Sequence, residues 1–198
     1  YDPSEGVIEL NGRDIKKYRL STYHDLFATV LQDYRHFSMT VKENVLLRRP
    51  QDDDDPIVID ALQKSGLYNR VRQMPSGIHT VLDREFDNEG EILSGGQNQK
   101  LAISHVYAKD CPVVILDEPS SALDPIAEYE MYENMIKACR NRTMILISHR
   151  LSSATLADRI YLLENGRILE SGNHKELMDK NGEYAKLFRI QAENYIKG

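Results

Sequence analysis

Cysteine is scarce in this chain. Its two thiols, Cys111 and Cys139, form no CxxC pair, so neither a metal knuckle nor a disulfide framework is indicated. The plain reading is two buried or half-buried thiols in a reducing compartment. There is no apolar run long enough to cross a bilayer and no signal peptide. Positive charge is also short: 25 Lys and Arg stand against 31 Asp and Glu, a formal net charge of -6. That argues against a nucleic-acid binder with a wholly basic surface, and the 11 tyrosines are scattered rather than set as a stacking platform. Several catalytic signatures are missing too. The sequence has no G-x-S-x-G elbow, no Ser-His-Asp order, and no G-x-x-x-x-G-K-S/T phosphate loop anywhere in its 198 residues. His24, His36, His79, His105 and His174 show no ligand spacing. An acidic chain without a phosphate loop can hold a nucleotide only through local backbone dipoles, a metal and a partner.

The length suits one domain or one core with a subdomain, large enough to need no disulfide staples. At 41% apolar and 28% charged, the composition is that of a folded globular chain. Val7–Leu10 reads as a strand closed by an Asn11-Gly12 hairpin turn. Ser21 caps a short helix through Leu26, Phe27–Leu31 is a strand, and Thr40 with Glu43 forms a capping box for a helix over Val41–Leu47. The acidic run at 51–55, ahead of Pro56, reads as a solvated helix start, with a divalent-cation site as the weaker alternative. Further helices are expected over Tyr68–Met74 and Asn98–Lys109, with a polar turn at Asp87-Asn88-Glu89-Gly90 between them. Val113–Leu116 and Thr143–Ile147 are unbroken apolar strands of the kind buried on both faces. Helices over Pro125–Ala138 and Ser152–Leu156 follow them. The chain ends with a hairpin around Glu164-Asn165-Gly166, an Asn173-capped helix, and a last helix from Glu183 to about Ile196 with Tyr184, Leu187, Phe188 and Gln191 in register.

This order implies a β-rich part over 1–40, a helical insert over 41–110 and an α/β part over 111–198. Alternating helices and continuous apolar strands mean a parallel sheet with helices on its faces.

Five segments carry candidate chemistry. Val113 to Leu116 ends in Asp117-Glu118, adjacent carboxylates at the carboxyl end of a strand, where open α/β sheets bind ligands. Asp117 can hold Mg²⁺ and Glu118 can polarise a water as general base; equally, acids end a strand where the chain surfaces. Leu93-Ser94-Gly95-Gly96-Gln97 precedes a helix, so its amides and hydroxyl suit an oxyanion, or Ser94 simply caps the helix. His149 after Thr143–Ile147 can hydrogen-bond a terminal phosphate, or serve as a structural histidine. Gln32 follows a strand and can reach a metal or an attacking water, or cap a turn. Asp124-Pro125 starts the next helix and is also placed to meet a partner.

These elements, in this order, resemble the ATP-binding cassette (ABC) transporter ATPases over essentially the whole chain. Leu93–Gln97 looks like the signature motif, Val113–Glu118 like Walker B with its catalytic glutamate, and Ser121-Ala122-Leu123-Asp124 like the D-loop. Gln32 looks like the Q-loop glutamine and His149 like the switch histidine. The resemblance implies a P-loop NTPase-like parallel-sheet core with an inserted helical subdomain and a β-rich start. It implies ATP and Mg²⁺ as ligands. Glu118, His149 and Gln32 then serve catalysis, Asp117 and Gln32 the metal, and Ser94, Gly95, Gly96, Gln97 and Asp124 the nucleotide across a dimer. It also implies a second nucleotide-binding domain, identical or different, and no nucleic acid. Tyr34 to Asn44 would face a membrane domain. The segment from Leu162 to Tyr195 looks like the exporter type, whose membrane domain is usually fused N-terminally and whose ATPase lies on the cytoplasmic face.

The Walker A loop and base-stacking aromatic are expected upstream of Tyr1. The 198-residue chain alone is then expected to be inactive, with an unpaired sheet edge and exposed apolar surface. Departures from the family pattern are Lys100, Ser104-His105-Val106 and Asp87–Gly90. The alternatives are a non-catalytic ABC-like scaffold and a soluble non-transport ABC ATPase.

Overall fold

The structure, a computed structural model, describes residues 3–32, 34–83, 90–119 and 125–197. The chain divides into two compact units. The first comprises 1–30, 34–115 and 141–145; the second comprises 31–33, 116–140 and 146–198.

The first unit opens with a short hairpin, β1 (Glu9–Leu10) and β2 (Arg13–Asp14). Asn11 and Gly12 both take positive φ, +52° and +74°, which a two-residue turn between twisted strands requires. Val7 and Ile8 stay exposed outside β1, which is shorter than the pattern predicts because only two residue pairs form. Helix α1 (Leu20–Asp25) starts one residue before the expected Ser21 cap. Ser21 is thus inside the first turn, and Arg19 holds the cap position with no side-chain bond.

Strand β3 (Phe27–Val30) follows, and α2 (Val41–Leu46) carries the expected capping box between Thr40 and Glu43. The buried Asn44 amide stitches the approach to α2. It accepts from the Phe37 N–H at 2.8 Å and donates to the carbonyls of Phe37, Met39 and Thr40.

Helix α3 (Asp55–Lys64) corrects the reading of the acidic run as wholly solvated. Asp52 and Asp53 are exposed, but Asp54 is buried and turned back from the helix. It accepts from both Arg48 guanidinium ends, one at 2.8 Å, and from the Gln51 N–H at 2.6 Å. The buried Lys42 ammonium pairs with Asp55 and also donates to the Gln51 carbonyl at 3.0 Å. The Arg48 bonds, then the Gln51 amide, hold the Asp54 carboxyl down from 3.8 to about 2. A depressed folded-state pKa contributes stability that is present above the unfolded value and lost as pH falls through the folded one. Urea midpoints of the wild type and Asp54→Asn should therefore differ at pH 6 and converge as pH falls from about 4 toward 2. Equal midpoints at pH 6 would make the Arg48 clasp energetically silent.

Helices α4 (Tyr68–Val71) and α5 (Gly95–Ala108) complete this unit. Val41, Val45, Val58, Ala61, Leu62, Leu67, Val71 and Leu101 of α2 to α5 and their joints form its hydrophobic core. Val58, Ala61 and Leu62 are the buried residues of α3. Ser104 and His105 of α5 are buried here. The His105 Nδ1 lies 2.9 Å from the Val45 carbonyl, and burial pushes the imidazolium's pKa down.

Strands β4 (Val113–Asp117) and β5 (Thr143–Ile147) run from the first unit into the second, and the sheet order is β3-β4-β5. The Val113 N–H donates to the Leu26 carbonyl at 3.1 Å and the Thr143 N–H to the Pro112 carbonyl at 2.8 Å. Bonds from strand start to strand start make the three parallel. Ala28, Val30, Val114 and Leu116 are buried, and α5 packs on β3. The expectation of strands buried on both faces fails for β5, where Ile145 is 46% and Ile147 48% exposed. Among the described residues β5 is an edge strand, and its apolar sequence is not matched by two-sided cover.

In the second unit α6 (Pro125–Ala138) buries Tyr132 and Met135, and α7 (Leu151–Ala154) follows β5 directly. The hairpin β6 (Ile160–Glu164) and β7 (Arg167–Gly172) turns at Asn165-Gly166 and carries an irregularity at Leu162/Leu163. Helix α8 (His174–Lys180) has an Asn173–Glu176 capping box. Helix α9 (Glu183–Lys197) starts where Glu170 accepts from the N–H groups of Glu183 and Tyr184, at 2.9 and 3.1 Å. Both cysteines are buried.

Candidate active site

Three strands deliver the site. The side chains of Val114 and Leu116 fix β4, so the strand surfaces at Asp117 and Glu118, both partly buried. Glu118 takes φ +45°, a left-handed conformation that costs a residue bearing a Cβ about 1–2 kcal/mol. Its N–H donates to the Ile147 carbonyl at 3.0 Å, which ties the end of β4 to the end of β5. Such strain at a strand end aims one particular side chain.

That side chain is met from both sides. The Gln32 Nε2, after β3, donates to Glu118 Oε2 at 2.8 Å across 86 positions of sequence. The His149 Nδ1, after β5, lies 2.9 Å from Glu118 Oε1. A carboxylate only accepts, so Nδ1 carries a proton here; Nε2 is the ring atom left for a ligand, and it donates to an anion only when it too carries a proton. The Glu118 side chain is 22% exposed and that of His149 is 64% exposed. A base benefits from such partial withdrawal from water, whereas a phosphate sensor must be reachable. With the Gln32 amide nitrogen committed to Glu118, its carbonyl oxygen remains as a hard donor, as do the Asp117 oxygens. This is an oxygen donor set that fits Mg²⁺.

The segment bearing His149 is itself pinned. The Gln191 Nε2 of α9 donates to the His149 carbonyl at 2.8 Å, and the Leu151 N–H donates to Gln191 Oε1 at 2.9 Å. Glu128 of α6, 1% exposed, pairs with Arg150 and accepts from the Ser153 hydroxyl at 3.1 Å. Neither Gln191 nor Glu128 was singled out from the sequence for this part. The available signal is a glutamine within the apolar stripe of Tyr184, Leu187 and Phe188.

The signature segment lies in the first unit. Helix α5 begins at Gly95, three residues earlier than the expected Asn98, so the glycine pair is the first turn of the helix. Ser94 does cap it: its Oγ accepts from the Gln97 N–H at 3.4 Å while Gln97 Oε1 accepts from the Ser94 N–H at 3.0 Å. An added Cβ at Gly95 or Gly96 would meet nothing within 4 Å. The first two amides of the helix, which have no intrahelical acceptor, are therefore accessible to an anion.

Gln32, Glu118 and His149 thus converge, with Asp117 next to them in the chain. Ser94, Gly95, Gly96 and Gln97 form a separate anion-compatible helix start. Asp124, the rest of the D-loop and Asp87–Glu89 lie outside the described residues. No group of His, Cys, Asp and Glu able to hold a metal by itself occurs among the described residues. Two or three protein oxygens beside a phosphate is the usual way Mg²⁺ is held.

The sequence profile described as "ABC transporter" matches residues 1–121. The chain belongs to the ABC transporter family. A Staphylococcus aureus protein whose name includes the words "multidrug export ATP-binding/permease protein" is 38% identical over 191 residues, covering 96% of this chain and 32% of its own length. The ATP-dependent lipid A-core flippase of Alcanivorax borkumensis is 35% identical over 190 residues, with coverage of 96% and 32%. The solved structure of a bacterial Atm1-family ABC exporter with ATP bound superposes with a TM-score of 0.84 at 31% identity, covering 97% of this chain and 33% of that one. The expected P-loop NTPase-like fold stands. The chain spans about a third of the length of the relatives it matches. Among the described residues no helix is long and apolar enough to cross a membrane.

Proposed function

We propose that this ABC chain is the nucleotide-binding part of an exporter that binds and hydrolyses MgATP and couples turnover to transport across a membrane. The observation that carries the reading is the Glu118 carboxylate, at the end of β4, hydrogen-bonded on both oxygens by Gln32 and His149 from the ends of the two neighbouring strands.

Glu118 accepts a proton from the attacking water, and the Gln32 and His149 bonds hold its carboxylate in one rotamer while it does so. Asp117 and the Gln32 carbonyl oxygen hold Mg²⁺, which when bound neutralises phosphate oxygens. His149, with both ring nitrogens protonated, donates from Nε2 to the terminal phosphate. The amides of Gly95 and Gly96, with the cap at Ser94 and Gln97, meet the nucleotide of a second such chain, identical or different. Asp124 belongs to the same contact.

Phe37, Met39 and Leu47, on either side of α2, are 52, 45 and 44% exposed. Exposed apolar residues there suit a membrane-domain contact, with the ATPase on the cytoplasmic side.

The whole protein in detergent or nanodiscs should release phosphate from ATP only with Mg²⁺ present, and EDTA should abolish the release. Binding of ATP without any release would favour the non-catalytic scaffold instead. The 198-residue chain alone is expected to show no turnover, since it has no G-x-x-x-x-G-K-S/T loop.

A further inference from the structure

The catalytic histidine of this site has its ring fixed by Glu118, but a ring is only as well placed as its backbone. The geometry points to Gln191 as a positioning residue: its side-chain amide sets the backbone on either side of His149 and Arg150, and through it the Glu118–His149 contact.

Three observations carry this. First, the amide is used at both ends. It donates to the His149 carbonyl at 2.8 Å and accepts from the Leu151 N–H at 2.9 Å, so it copies one rung of a β-ladder on a segment that has left β5. Second, the partner groups flank Arg150, whose N–H is already taken by the Ser148 hydroxyl at 2.9 Å. Gln191 therefore satisfies the two backbone groups that a turn after a strand would otherwise leave to water. Third, Gln191 lies 42 positions from His149, on α9, a helix that otherwise faces inward with Tyr184 and Ala185. A half-buried glutamine at a core-facing register position is chemically justified only by the bonds it makes. The bidentate grip holds the backbone on both sides of Arg150, directly after the residue whose Nδ1 lies 2.9 Å from Glu118 Oε1. Reactive groups held by a partner in this way lose rate sharply when the partner is removed, because small displacements matter.

The inference rests on the proposed ATPase reading, and its test separates the two. In the whole protein, Gln191→Ala should lower kcat about tenfold with KM for ATP within about twofold, the pattern of a misplaced catalytic group rather than lost binding. Gln191→Glu supplies the readout that a mere strut would not move. Ionised at about pH 7–8, it only accepts and faces the His149 carbonyl. Although its shape is kept, Gln191→Glu should therefore lose at least as much kcat as Gln191→Ala, with KM for ATP again within about twofold. Wild-type kcat in either variant overturns the inference even if thermal stability falls, for then Gln191 only props α9. Absence of turnover in the wild type overturns the ATPase reading and this inference with it; turnover with silent variants overturns the inference alone.

Discussion

Glu118→Gln is expected to cut steady-state phosphate release by the whole protein about 10²–10⁴-fold while ATP binding survives. The substitution is nearly isosteric, and an amide oxygen can still accept from Gln32 or His149. What it cannot do is take a proton from water at any accessible pH. One of the two contacts at 2.8 and 2.9 Å survives on the amide oxygen, and the other is kept if the Gln32 amide flips or His149 takes its other tautomer, so the loss reports mainly on chemistry. Gln32→Ala and His149→Ala should fall between wild type and Glu118→Gln, because each removes one of two restraints on the same carboxylate. The measurement is kcat by released phosphate together with nucleotide affinity by a fluorescent ATP analogue. Turnover within about twofold of wild type in Glu118→Gln would remove the general-base role, and the convergence of three strand ends would then need another explanation.

The sequence carries this convergence unevenly, for physical reasons. Asp117-Glu118, Gln32 and His149 each stand at the end of an apolar run, and parallel strands present their carboxyl ends on one side. Two of those runs are unmistakable, so the site was legible as soon as the sheet was. The capping boxes at Thr40, Ser94 and Asn173 were equally legible or nearly so, because a cap is a local bond three residues long.

What escaped depends on distance or on cover. The start of α5 was placed at Asn98 because a glycine pair reads as a turn; only the Ser94–Gln97 box shows that the helix begins at Gly95. Burial of β5 was overestimated because an apolar sequence states what a strand can bury, and not what lies against it. Asp54 looked like one of four solvated carboxylates, and nothing local distinguishes it from Asp53 except that Arg48 reaches back to it. Gln191 and Glu128 act on the His149 segment across sequence gaps that no periodicity reports. The family departures at Ser104 and His105 turn out to be core features, with the Ser104 hydroxyl donating to Leu101 at 2.6 Å. Their weight therefore falls on packing of the first unit and not on the nucleotide side.

Glu128→Ala should be the most destabilising single change near the site. The Glu128 carboxylate is 1% exposed and serves two partners, Arg150 and Ser153. Removing one member of a buried pair leaves the other charge uncompensated, which typically costs about 3–5 kcal/mol. Arg150 retains 21% of its side-chain exposure, so water can recover part of that loss and about 3 kcal/mol is expected. For a chain of this size that is a fall in melting temperature of about 6–12 °C. Glu128→Gln keeps its oxygen for Arg150 and turns its NH₂ to the Ser153 hydroxyl, which can accept, so the charge assistance is lost and about 1–2 kcal/mol should go with it. Thermal unfolding followed by circular dichroism orders the three proteins, and amide exchange locates the damage. Faster exchange should appear at residues 148–153 before it appears in β6 and β7, since only the former hang on Glu128. A melting temperature for Glu128→Ala within about 1 °C of wild type would mean that Arg150 finds other compensation and that the segment bearing His149 is held mainly from α9. In that case the Gln191 variants should show the larger loss of kcat, so the two measurements together apportion the hold on the histidine between α6 and α9.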